Sequence, residues 1–165
     1  HWQGGSGNIT TGTTILDAFK STVNDSNNIN YSKNADDLTG SDIIVVAIGE
    51  KPYTEGVGDR DSLFLSKENK ELIEKVKRAK IPYIVILISG RPMIINEELN
   101  DSHAFIAAWL PGTEGAGISD VLFGDFDFTG KLSMTWPRSM KQIPINFGDN
   151  DYDPLFEFGF GLSYR

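Results

Sequence analysis

The segment Gly49-Glu50-Lys51-Pro52-Tyr53-Thr54-Glu55-Gly56-Val57-Gly58-Asp59-Arg60-Asp61 carries four carboxylates among flexible glycines. A carboxyl group does general acid/base work when its pKa is held near the working pH. Glu55 has glycine on one side and sits mid-segment, where it can project outward as such a group. Glu50 opens the segment and is expected to be tied into the structure that precedes it. The same composition suits a solvated acidic loop, and composition alone leaves both readings open. The segment is longer than a simple connection requires, which is why a mobile arm is weighed beside the bland reading.

Other candidates carry weaker signals. Ser89-Gly90-Arg91-Pro92 either sets a cation at the end of an apolar run or makes a turn with Pro92 opening the next element. Pro111-Gly112-Thr113-Glu114-Gly115-Ala116-Gly117 is rich in glycine, as phosphate-binding loops are, but matches neither G-x-G-x-x-G nor G-x-x-x-x-G-K-[ST]. Its plain reading is a close turn with Thr113 as a helix cap. Trp2, flanked by His1 and Gln3, lies outside any core pattern and is either a stacking platform for a ligand ring face or a tail residue. No G-x-S-x-G elbow is present. Retaining glycoside hydrolysis needs a second carboxylate at about 5–5.5 Å from the acid/base, and this chain offers Glu55 no evident partner.

Composition removes whole classes of function. The 165 residues hold no Cys and two His, His1 and His103, so neither a disulfide scaffold, a cysteine zinc site nor a three-His metal site can form. No metal and no cofactor is expected. Lys plus Arg is 15 against 23 for Asp plus Glu, a net charge of −8, so no nucleic-acid partner is expected. No apolar run approaches the ~18 residues of a membrane-crossing helix. The start, His1-Trp2-Gln3-Gly4-Gly5, reads as a cut made inside a larger protein.

The elements that must position these residues are legible as runs and stripes. Ile43 to Ile48, Tyr83 to Ile88 and Ala104 to Leu110 are continuously apolar, as strands buried on both faces are. They are followed by Gly49, Gly90 and Gly112. Between them lie helical stripes: Ile15, Leu16, Phe19 and Val23 after a Thr-rich start, then Leu72, Ile73, Val76 and Ala79, then Ile118, Val121 and Leu122 ahead of Gly124. Glu71–Lys75 and Glu74–Arg78 are spaced for ion pairing on the second helix. A weaker strand is expected near Ile29 to Tyr31 and a late edge strand at Lys131 to Trp136. Phe147 to Arg165 reads as a packed irregular tail. Alternating strand and helix predicts one α/β domain over residues 1–165. In such sheets ligands sit beyond the carboxyl ends of the strands, where the acidic segment would be.

In order and spacing, much of the chain resembles the second domain of glycoside hydrolase family 3. The residues that carry the resemblance are His1-Trp2-Gln3-Gly4, Thr13-Thr14-Ile15-Leu16 and Val46-Ala47-Ile48-Gly49-Glu50-Lys51-Pro52-Tyr53-Thr54-Glu55. It continues through Leu87-Ile88-Ser89-Gly90-Arg91-Pro92, Ala107-Ala108-Trp109-Leu110-Pro111-Gly112-Thr113-Glu114-Gly115 and Leu122-Phe123-Gly124-Asp125-Phe126. Phe128-Thr129-Gly130-Lys131-Leu132, Thr135-Trp136-Pro137 and Phe158-Gly159-Phe160-Gly161-Leu162 complete it. The two-domain exo-β-glucanase and β-glucosidase type is the nearest. After Glu55 the chain departs from that type with Gly56-Val57-Gly58-Asp59-Arg60, and Leu63-Phe64-Leu65-Ser66 stands where many members have Leu-x-Leu-Pro.

The resemblance implies a three-layer α/β/α sandwich around a mainly parallel, about six-stranded sheet. It implies a retaining, exo-acting β-glucosidase or exo-β-glucanase that removes terminal non-reducing β-D-glucosyl residues from a β-glucoside or oligosaccharide. In that scheme Glu55 is the acid/base and Trp2 stacks on the aglycone-side sugar. The nucleophile is an Asp of an N-terminal (β/α)8-type barrel domain, a partner that this chain does not include, and the chain alone is expected to be inactive. The alternatives are a non-catalytic carbohydrate-binding or packing module, and a β-xylosidase of the same family.

Overall fold

In the computed structural model the described residues are 10–53 and 56–164. Helix α1 (Ile15–Thr22) starts at Thr14, whose hydroxyl oxygen accepts the amide of Asp17 at 3.1 Å. Strand β1 (Ile44–Gly49) follows, then α2 (Lys67–Arg78), capped by Ser66 through the amide of Asn69 at 3.2 Å. Strand β2 (Tyr83–Ile88), the short α3 (Asn96–Asp101), β3 (Ala104–Ala107) and α4 (Gly115–Phe123) complete the order. Gly124 ends α4 at φ +88°, a left-handed conformation that glycine adopts without a Cβ penalty.

The strands form one parallel sheet in the order β1-β2-β3. Ile44 faces Tyr83 and Gly49 faces Ile88 across the first pair, and Ile84 faces Ala104 across the second. Period-two alternation sends successive side chains to opposite faces, and both faces are covered. Val46, Val85 and Leu87 pack with Ile73 and Val76 of α2, and with Met93, Ile95 and Trp136. On the other face Ile86 packs with Phe19 of α1 and Ile118 of α4. Burial of each such side chain is worth about 1.5–3 kcal/mol, which explains why the apolar runs are unbroken. Helices α1 and α4 are also joined by a hydrogen bond of 2.7 Å between the hydroxyls of Thr22 and Ser119. The three-layer α/β/α arrangement is therefore present.

Several expectations need correction. The described residues form three strands, not about six. The segment Ile29 to Tyr31 follows a 3-10 turn (Ser26–Asn28) and joins no ladder, and Tyr31 is exposed. Lys131 to Trp136 makes no strand either. Trp136 meets Phe156 in one isolated antiparallel bridge, while Leu132 exchanges backbone hydrogen bonds with Gly159 and Phe160. The third run leaves the sheet after Ala108, whose amide still donates to the Leu87 carbonyl at 2.9 Å, and Trp109 takes φ +52°. On α2 neither expected pair, Glu71–Lys75 or Glu74–Arg78, is formed: Glu71 meets Lys67 at 3.6 Å, Lys75 reaches Asp36, and the neighbouring Lys77 reaches Asp101. Lys75 and Lys77 go to acceptors that the tertiary fold brings near.

The tail from Phe147 onward is irregular, as expected, but is packed only in part: its rings touch, while Phe147, Phe158 and Tyr164 stay exposed. Phe156 and Phe160 stack at 4.5 Å between centroids, and Phe156 meets Trp136 edge-on at 6.4 Å.

Candidate active site

The ends of β1 and β2 fix one rim of the site. Gly49 lies beside Ile88, and any Cβ on Gly49 would collide with the Ile88 carbonyl oxygen, so the glycine permits close strand approach here. The Glu50 amide donates to that same carbonyl at 3.1 Å, and Asn69, in the first turn of α2, donates to the Gly49 carbonyl at 2.8 Å. The acidic segment thus leaves the sheet from a pinned base. An open cleft of about 1160 Å³ lies over this edge, walled by Glu50, Tyr53 and Arg60 of the segment, by Thr14, by Asn69 and by Leu110.

Within that rim Glu50, Arg60 and Arg91 are paired. The Glu50 carboxylate accepts from Arg60 Nη1 at 2.8 Å and from Arg91 Nε at 3.1 and 3.2 Å, and its side chain is only 6% exposed. Arg91 Nη2 stands 3.0 Å from Glu50 Oε1 without hydrogen-bond alignment, so it adds charge attraction but no direction. Arg91 Nη1 donates to the Gly58 carbonyl at 2.7 Å, and the guanidinium carbon lies 4.2 Å from the centre of the Tyr53 ring. Burial raises the pKa of the Tyr53 phenol, the Glu50 charge raises it further, and Arg91 partly opposes both. The arrangement can hold a loop in one shape. Glu50 is committed to structure, as its position after the strand suggested.

Of the two predicted site residues, Glu55 and Trp2, both lie outside the described residues. Arg91 proves to be an edge cation rather than only part of a turn. The pairings of Arg60 and Arg91 with Glu50 are what sequence reasoning missed. Arg60 stands in the same segment as Glu50, so opposite charge within one loop was a usable signal. The Arg91 contacts span 41 residues and were marked only by a strand-ending glycine.

The glycine-rich loop before α4 is a turn. The Gly115 amide donates to the Thr13 carbonyl at 3.0 Å and the Gly117 amide to the Glu114 carbonyl at 3.2 Å, so these donors are consumed internally. Thr113 does not cap α4: its hydroxyl donates to the Glu114 carboxylate at 3.2 Å, and the helix has no side-chain cap. Among the described residues no cluster of three or more His, Asp or Glu is placed to hold a metal ion, and no helix is long and apolar enough to cross a membrane.

Comparison with known proteins places the chain in a family. Residues 1–164 match the family model described as the glycosyl hydrolase family 3 C-terminal domain. A β-xylosidase from Formosa agariphila is 33% identical over 180 aligned residues, covering 91% of this chain and 25% of its own length. A periplasmic β-glucosidase from Salmonella typhimurium is 31% identical, covering 75% of this chain and 19% of its own length. Among solved structures, an exo-1,3/1,4-β-glucanase from a Pseudoalteromonas species superposes with a TM-score of 0.85 at 42% identity, over 93% of this chain and 21% of that one. The chain spans 17–25% of the length of the curated relatives it matches.

Proposed function

This chain belongs to the glycosyl hydrolase family 3 C-terminal domain family, and from that premise we propose that it is the acid/base-bearing domain of a retaining, exo-acting β-glucosidase or exo-β-glucanase. The observation that carries the reading is the acidic segment itself. It leaves the carboxyl edge of the sheet from a base pinned by Glu50, Arg60 and Arg91, beside an open cleft. Glu55 is the carboxyl group of that segment proposed for the chemistry. It gives its proton to the leaving oxygen in the first step and, once ionised, takes one from the attacking water in the second. The nucleophile is an Asp of the barrel domain, set about 5–5.5 Å from Glu55 as retention requires. Trp2 offers its ring face to the aglycone-side sugar while the sugar hydroxyls stay free for hydrogen bonds. The domain alone has one of the two carboxyl groups and is inactive.

The test is Glu55→Gln in the whole enzyme. Glycosides with poor leaving groups should slow by about 10²–10⁴-fold, since general acid catalysis contributes on that scale. Activated aryl glycosides should slow less, and azide should yield a glycosyl azide by attacking the glycosyl-enzyme. Unchanged rates on both, with no effect of azide, would leave the non-catalytic carbohydrate-binding module as the better reading.

A second substrate reading has a specific observation behind it. Relatives at 33% identity include two named as β-xylosidases. The ratio of kcat/KM for aryl β-glucoside and aryl β-xyloside decides between them.

A further inference from the structure

We propose that Arg91 is a positioning residue for the acid/base arm: one guanidinium holds three points of it and sets where Glu55 is carried. The proposal rests on the reading of Glu55 given above.

The three points are well distributed. Arg91 Nε meets the Glu50 carboxylate at 3.1 and 3.2 Å, at the root of the arm. Its face lies 4.2 Å from the centre of the Tyr53 ring on the outgoing leg. Its Nη1 donates to the Gly58 carbonyl at 2.7 Å on the returning leg. Tyr53 and Gly58 flank Glu55 in the sequence, so both legs are gripped by one side chain from outside the arm. Arg60 adds a tie from within it, to Glu50 at 2.8 Å.

The clamp is itself well founded. Arg91 is the third residue after β2, and the buried Ser89 donates its hydroxyl to the Arg91 carbonyl at 2.8 Å. Glu50 follows β1 directly and is bonded to Ile88 of β2. Both halves of the ion pair therefore stand on neighbouring strand ends, and the arm is referenced to the sheet. A planar guanidinium can present edge donors in two directions and a face in a third, which an ammonium cannot. The positions that carry catalysis are sensitive to such referencing, because a reacting group misplaced by about 1 Å loses about 10²-fold in rate.

The experiment is Arg91→Lys in the whole enzyme. It keeps a positive charge beside Glu50 and removes the fork and the face. The assay is kcat/KM on a dinitrophenyl β-glycoside, whose leaving group departs without a proton, and on an alkyl β-glycoside, which needs one. The alkyl substrate should lose about 30-fold or more and the dinitrophenyl substrate about 3-fold or less, a split that follows from general acid catalysis being required by only one of them. Loss in equal proportion on both, or on neither, overturns the proposal. If Arg91→Lys does not fold, Tyr53→Ala is decisive in the same assay, with a smaller split in the same direction expected and an equal loss overturning it. Glu55→Gln is run alongside. If it lacks the split, the reading of Glu55 falls, and the proposal with it. If it shows the split and Arg91→Lys does not, only the positioning role falls.

Discussion

The indole Nε1 of Trp136 donates to the carbonyl oxygen of Met93 at 2.7 Å, inside the core where both residues are almost fully buried. The bond ties the segment after β2 to the C-terminal part of the chain. Trp136→Phe keeps an aromatic ring but strands a buried carbonyl, a cost of about 1–3 kcal/mol before any cavity is counted. Urea unfolding of this chain should move to lower denaturant by the corresponding amount. A midpoint that does not move would mean that the carbonyl finds another donor.

Gly115 and Gly117 sit two residues apart in α4 and should respond to alanine with opposite signs. A Cβ on Gly115 would lie 2.5 Å from the Thr13 carbonyl oxygen and 2.5 Å from the Thr14 carbonyl carbon, backbone atoms that cannot swing aside. A Cβ on Gly117 meets nothing within 4 Å. Gly115→Ala should destabilise by about 1–3 kcal/mol through overpacking. Gly117→Ala should stabilise by about 0.5–1 kcal/mol through helix propensity and a less free unfolded chain. Melting curves of the two variants check the pair, and a shared sign would refute the packing described for α1 against α4.

Gly90 keeps Tyr53 in place. A Cβ there would come 2.5 Å from the Tyr53 hydroxyl, the far end of a side chain that can move. Gly90→Ala should therefore leave stability nearly unchanged while shifting Tyr53 off Arg91. The near-ultraviolet circular dichroism of tyrosine reports the shift, and a spectrum identical to the parent would contradict it.

The Tyr53 phenol has its pKa raised above the ordinary value, first by burial and then by the Glu50 charge. The folded chain thus holds this proton more tightly than the unfolded chain does. The resulting stability is fully present below about pH 10, the unfolded tyrosine value, and is lost as pH rises through the folded one. Tyrosinate absorbance, read as the difference between the parent and Tyr53→Phe, should titrate later than free tyrosine. An ordinary midpoint would show that Tyr53 is solvated.

Trp2 is proposed to act on the aglycone side alone. Trp2→Ala in the whole enzyme should lower kcat/KM for a β-linked disaccharide by about 3- to 10-fold, the scale of one aromatic stacking contact. Glycosyl fluoride has no aglycone ring and should be turned over at the parent rate. An equal effect on both substrates would assign Trp2 a role in folding.

Strands buried on both faces were the most legible part of the sequence. The run from Tyr83 to Ile88 matches β2 residue for residue, because nothing but apolar side chains is tolerated there. Helix α3 left no stripe: it is six residues long, and its buried side chain is Glu98, which faces Lys70 at 3.8 Å. A charged residue inside a short helix has no apolar period to betray it. The strand expected at Lys131 to Trp136 failed for a related reason. The alternation of residue types there is not an alternation of burial: Thr135 and Trp136 are both buried, and Trp136 packs into the core below β2 and makes one bridge to Phe156 in place of a ladder. At the site, the role of Glu50 could be read from its place after β1, whereas the grip of Arg91 on Tyr53 and Gly58 depends on β1 and β2 lying side by side.

That dependence has a consequence for how the protein is made. Glu50 and Arg91 are 41 residues apart, and the pairing of β1 with β2 is parallel, with all of α2 threaded between. A ribosome delivers the acidic segment well before the arginine that grips it, and non-local parallel pairing is slow to form. During synthesis the arm therefore lacks the grip of Arg91, and that part of its shape is imposed from downstream. Its geometry waits on residues that follow it in the chain.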